Sequence, residues 1–309
     1  MFTALTLAAV LLGQTPPATQ VPPTEEPSRV DDVIVDGRSV VDQARDFVSE
    51  VAAPVNNRNL ATWHGALCIG AANMGSVQHA QAMVDRVSEV ALSLGLRPGE
   101  PGCEPNVLVI MTTDASAMAA ELVERRPRTF RPNYTGAAQG RDELDAFIET
   151  DAPVRWWHIS IPVDAATGTA AVRMPGGEPP IITKRPGASR LRSPLRDDMR
   201  KAFIIIDVDG IAEVSFAQLS DYVAFLVLAQ TDPEADTSRY DTILNLFKGA
   251  PQQGLTAWDQ AYLRALYSTD TTNITPNRHG SEVGRDLARE LAAADRTSQV
   301  EGLSPDTAD

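Results

Sequence analysis

Histidine is scarce in this chain of 309 residues: His64, His79, His158 and His279 are the whole set, and no two stand at a spacing that grips a metal. No metal site can be read from them. Strained Gly-x-Ser-x-Gly turns, Ser-x-x-Lys pairs and a Cys-His dyad signature are also missing, so the common nucleophilic hydrolases have no anchor here. Basic residues are the minority, 27 Lys and Arg against 41 Asp and Glu, and the formal charge of −14 disfavours nucleic acid and anionic membrane surfaces as partners. The charge serves solubility. Long apolar runs are lacking too, apart from Met1–Gly13, which has the length of a signal-peptide core and is too short for a stable membrane span.

Cysteine is nearly absent, with Cys68 and Cys103 alone. In an exported chain an even count predicts one disulfide, and closing a loop of that size contributes about 3 to 4 kcal/mol on the chain-entropy model. Two buried thiols are the alternative. The composition that remains, 43% hydrophobic and 22% charged, is that of a globular protein.

The organisation follows from these features. Residues 1–20 read as a signal peptide, and 21–33 as a disordered spacer rich in Pro, Thr and Glu. Residues 34–270 read as one globular domain, and 271–309 as a polar extension with a helix near Gly280–Ala294 that either packs or stays loose. Within the domain, helices are expected over Val40–Val51, from Val77 to Leu94, over Ser116–Glu124 and over Arg141–Ile148; strands are expected at Leu67–Ile69 and Val107–Thr112. A hairpin is predicted from Val154–Val163 through Thr167-Gly168 into Ala170–Met174, then one or two helical turns over Leu195–Arg200 and a central strand over Ala202–Val208. The fold class is therefore α/β of the mixed α+β kind, with a mixed sheet, a strand-helix-strand-helix N-terminal half and a helical C-terminal half.

The C-terminal half opens with a deeply apolar helix capped by Ser215 and running through Leu219, Val223, Leu226 and Val227. After an acidic turn come Thr242-Ile243-Leu244-Asn245 and Leu255-Thr256-Ala257-Trp258-Asp259, the last opening a helix through Leu266-Tyr267, with Thr256 and Asp259 spaced as a capping box. This order resembles the metzincin superfamily of zinc peptidases, in which a buried active-site helix is followed by a tight turn beneath the metal and a Leu-Thr-x-x-Asp helix. The resemblance implies a zinc site of the His-Glu-x-x-His type, yet the matching positions hold Asp221, Tyr222 and Phe225, and Leu244 replaces the methionine of the turn. Peptidase activity does not carry over. Cys103-Glu104-Pro105-Asn106-Val107 and Asp221-Tyr222-Val223-Ala224 also resemble a family of secreted bacterial proteins to which no activity is attached.

Several constellations are candidates for contact with a ligand. Trp156 and His158 share one strand face, where an indole could stack and an imidazole could hydrogen-bond; Asp221 and Tyr222 lie on the degenerate helix. Lys184, Arg185, Arg190, Arg192, Arg196, Arg200 and Lys201 form a basic segment interrupted by Asp197 and Asp198. In an acidic protein Arg190, Arg192, Arg196 and Arg200 are candidate contacts for an anionic surface, or they pair with the protein's own acids. Gly70–Ser76 reads as a glycine-eased helix entry and Asp207-Val208-Asp209-Gly210 as an acidic strand end. The sequence leads us to expect an exported protein, secreted or periplasmic, without cofactor or metal, binding a protein or small-molecule partner in the cell envelope. The alternative is a hydrolase with a non-standard site drawing on Asp221, His158 and Asp207.

Overall fold

Ser39 accepts the Asp42 N–H and starts helix α1, Val40–Val51, whose inward stripe of Ala44, Phe47, Val48 and Val51 is buried. The computed structural model describes residues 39–55, 58–130, 139–172, 193–249, 252–272 and 276–301. The chain divides into Met1–Gly37 and Arg38–Asp309, and every described residue belongs to the second unit. The expected signal segment and spacer lie outside the described residues.

The strand-helix-strand-helix half has the expected order. Strand β1, Ile69–Ala72, leads through Asn73 (φ 59°) and Gly75 (φ 72°) to α2, Val77–Ser93, which Ser76 caps. These two left-handed residues turn the chain sharply into the helix, which is what the glycine-rich entry accomplishes. Strand β2, Val107–Thr112, follows, then α3, Ala115–Arg125, capped by Asp114, and α4, Arg141–Glu149. Strand β1 begins at Ile69 rather than Leu67, because Leu67 is taken by an isolated bridge to Pro98. The Cys68–Cys103 disulfide ties the foot of β1 to the approach of β2.

Strands β3, Val154–Asp164, and β4, Leu195–Asp207, complete a sheet of order β1-β2-β4-β3, parallel except for the β3–β4 pair. Two sequence expectations are corrected here. Ala170 meets Val163 only in an isolated bridge, and residues 173–192 lie outside the described residues, so the antiparallel partner of β3 is β4. Leu195–Arg200 is not helical; it is the first half of β4, paired with β3 from Asp164↔Leu195 onward. The charges that made this stretch look like a solvated turn are partnered in place: Asp197 by Arg58 (3.2 Å), and Asp198 by Arg196 (2.8 Å) with Nδ1 of His64 at 3.0 Å. A strand can bury acids when their partners are built in.

Both faces of the sheet are covered. Phe203, Ile205 and Trp157 face Phe130, Leu144 and Phe147 on the α3/α4 side. Ala202, Ile204 and Ile206 face the larger core formed with α1, α2 and the remaining helices: α5, Phe216–Leu228, α6, Ala257–Ser268, and α7, Pro276–Glu301. Burying each of those isoleucines contributes roughly 2 to 3 kcal/mol, so β4 is the spine of the fold. Phe47 holds Tyr240, Trp258 and Tyr262 edge-on at 5.0, 5.6 and 5.3 Å. Helix α7 packs on the body, with His279, Val283 and Leu287 fully buried. Gly284 permits that approach, since a Cβ there would sit 2.9 Å from Cα of Arg45.

Candidate functional site

Helix α5 is buried along most of its length, so each of its polar groups needs an internal partner. At its N-terminus Ser215 and Gln218 form a reciprocal capping box. At its C-terminus, where a helix leaves carbonyls unpaired, side chains from distant segments supply donors. His158 Nε2 donates to Leu226 O (2.7 Å), Trp63 Nε1 to Val227 O (2.7 Å) and Tyr267 Oη to Leu228 O (2.8 Å). Trp156 Nε1 donates to Thr231 O just beyond the helix (3.0 Å). Trp156 and His158 do share a face, as the strand period requires, but α5 covers that face and their ring nitrogens seal its end. Burial pushes the His158 imidazole down to about 4, and its Nδ1 has no partner among the described residues. Sequence reasoning found neither Trp63 nor Tyr267, because no local pattern marks a residue that caps a helix more than thirty positions away.

The positions aligned with a metzincin zinc motif are occupied by packing and internal bonds. Asp221 binds Arg86 of α2 and accepts the Leu255 N–H (2.9 Å), so one carboxylate joins α2, α5 and the entry to α6. Tyr222 stands edge-on to Phe247 (5.1 Å), and Phe225 stacks with Tyr262 (5.8 Å). The Thr242–Asn245 segment forms a one-turn 3-10 helix against α5. Asp259 does more than cap α6: it also accepts from Thr242 Oγ1 (2.5 Å) and Ile243 N (2.7 Å), fastening that turn to the helix. Burial pushes its carboxyl up to about 6, against the pull of hydrogen bonds from Thr242, Thr256 and Ile243. Asn245 completes the network through Thr237 and Tyr240. No described contact brings Asp221, His158 and Asp207 together; Asp207 instead accepts from Asp209 N at the end of β4 (3.0 Å).

A cleft of about 450 Å3 lies elsewhere, lined by 62–65, 94–97, 267 and 269–271. His64 is one of its polar groups. Nδ1 of His64 lies 3.0 Å from Asp198, whose carboxylate also takes Arg196 Nε at 2.8 Å and stands 3.9 Å from Arg200. Burial would raise Asp198, but the hydrogen bonds of His64 and Arg196 outweigh it and hold the carboxyl below its ordinary range. Its neighbour Asp197 is pushed the other way by burial, despite Arg58 and the Asn59 N–H. Arg196 of the basic segment thus turns inward to the protein's own acid and Arg200 stays exposed 3.9 Å from the same carboxylate, whereas Arg190 and Arg192 lie outside the described residues. Among the described residues no three His, Cys, Asp or Glu side chains are grouped to hold a metal ion. No family model, curated protein or solved structure matches the chain.

Proposed function

We propose that this protein is a non-catalytic exported scaffold of peptidase-like build, holding a small molecule or partner in the cell envelope. The observation that carries the reading is on α5, where the three positions of a zinc-peptidase motif are committed to internal structure. Asp221 is spent on Arg86 and Leu255, Tyr222 on Phe247 and Phe225 on Tyr262. A carboxylate already satisfied by a guanidinium and a backbone N–H is a poor metal ligand and a poor base. The cleft beside His64 gives such a scaffold a place to bind.

The second reading, a hydrolase with a non-standard site, draws on the same cleft, because an imidazole held by a buried carboxylate is the arrangement of a general base. No Ser or Cys stands within hydrogen-bonding distance of His64 among the described contacts, and Thr62 Oγ1 at 3.5 Å approaches the Nδ1 edge. Incubation of the purified protein with a mixed peptide library, with and without chelator, separates the two. The scaffold reading expects no cleavage in either arm; cleavage in either arm would overturn it, and its sensitivity to chelator would tell a metal site from a metal-free one.

A further inference from the structure

The chemistry that the cleft accepts follows from where one proton sits. Nδ1 of His64 faces Asp198 Oδ1 at 3.0 Å and Thr62 O at 3.3 Å. Both are acceptors, so in the neutral imidazole the proton belongs on Nδ1 and Nε2 is left as a lone-pair acceptor. Asp198 is buried and fixed by Arg196, which makes this tautomer a built feature. The His64 side chain is 32% exposed and lines the cleft, and its Nε2 has no partner among the described contacts.

Two helix C-termini meet at the same space. Helix α2 ends at Ser93 and α6 at Ser268, and the residues just beyond each line the cleft. Each such end carries roughly half a negative charge. Asp270 adds a carboxylate to the wall, while Arg97 on the rim is the opposing cation.

We propose that this cleft binds a small molecule through a primary ammonium group, which donates to Nε2 of His64 and rests in the negative field of the two helix ends and Asp270. The proposal rests on the binding-scaffold reading and names the ligand class for it.

The test uses the full chain and two probes of matched length and opposite charge, 1,5-diaminopentane and pentanedioate, with affinities of wild type and variants measured by titration calorimetry and, in the wild type, the imidazole nitrogen resonances of His64 followed as well. The diamine should shift Nε2 saturably and the dianion should not. His64→Ala should weaken diamine binding by about tenfold, the worth of one hydrogen bond to a charged group. His64→Gln, whose Oε1 can replace Nε2 as acceptor, should keep binding within about threefold. His64 is partly exposed, so both variants should fold, and thermal melts verify that. Preference for the dianion, no saturable shift, or diamine binding unchanged in His64→Ala overturns the proposal. Peptide cleavage by the wild type is scored apart: it removes the non-catalytic reading and leaves the ligand class to be judged by the diamine alone.

Discussion

Replacing Asp221 with alanine separates a structural carboxylate from a catalytic one. The side chain is 12% exposed and joins three elements, by the Arg86 pair and by the Leu255 N–H at 2.9 Å. Its loss leaves the Leu255 N–H in a partly buried place without an acceptor, which costs about 1 to 2 kcal/mol. Arg86 is 39% exposed and can turn to Glu89, already 3.2 Å away, so the ion pair itself adds no more than about 1 kcal/mol after solvent screening. The sum is roughly 1 to 3 kcal/mol, or a fall in Tm of about 3 to 10 °C for a domain of this size. Asp221→Asn keeps an acceptor for Leu255 and should lose about half as much. Calorimetric melts of the three proteins, run beside the peptide assay, decide the matter. A Tm for Asp221→Ala unchanged from the wild type would refute the structural assignment, and an activity lost at unchanged stability would restore the hydrolase.

Other expectations are simpler to check. Tyr267→Phe removes only the hydroxyl that caps Leu228 O and should cost about 1 to 2 kcal/mol in urea unfolding. Reducing the Cys68–Cys103 bridge, which spans 35 residues, should cost about 4 kcal/mol on the loop-entropy model, read as a lower urea midpoint in reductant. Asp259→Ala breaks the α6 capping box and the bonds to Thr242 and Ile243 together, and should destabilise by about 3 to 5 kcal/mol, more than Thr256→Ala. For pH, burial holds His279 near about 4 and its Nδ1 accepts the Leu60 N–H, whereas an unfolded histidine titrates near about 6.5. The unfolded chain binds the extra proton between those values, so this contribution is full above about 6.5 and falls by roughly 3 kcal/mol as pH drops toward 4. Asp259, raised to about 6, acts in the opposite sense over the same window, so the measurement is the difference between wild type and His279→Asn. The variant keeps an acceptor for Leu60 and should show the flatter loss of stability below pH 6.5.

Local features of this fold were legible wherever local chemistry decides them. Ser39, Ser76, Asp114, Ser215 and Thr256 cap the helices that the apolar periodicity predicts, and β2 begins and ends at the residues expected of it. The first half of β4 was not legible, because its acids are satisfied by Arg58 and His64, more than a hundred residues away in sequence. The same holds for the end of α5, whose carbonyls are capped from β3, α6 and the Trp63 segment. Asp259 was recognised as a cap but not as the anchor of the Thr242 turn, since both its oxygens also accept from residues across the fold. The cleft had no sequence signal at all: its walls are loops and helix ends brought together by packing, and His64 stands out only once Asp198 lies beside it. Trp156, His158 and Asp221 stood out for their chemistry, and the fold uses that chemistry to satisfy a buried helix.

The central claim, that the α5 positions serve structure and not a metal, is tested most directly by elemental analysis of the purified protein prepared without chelator and dialysed against trace zinc. The account predicts zinc well below one equivalent per chain and no change in Tm on adding a chelator. One tightly held zinc per chain, with a Tm that falls on its removal, would contradict it.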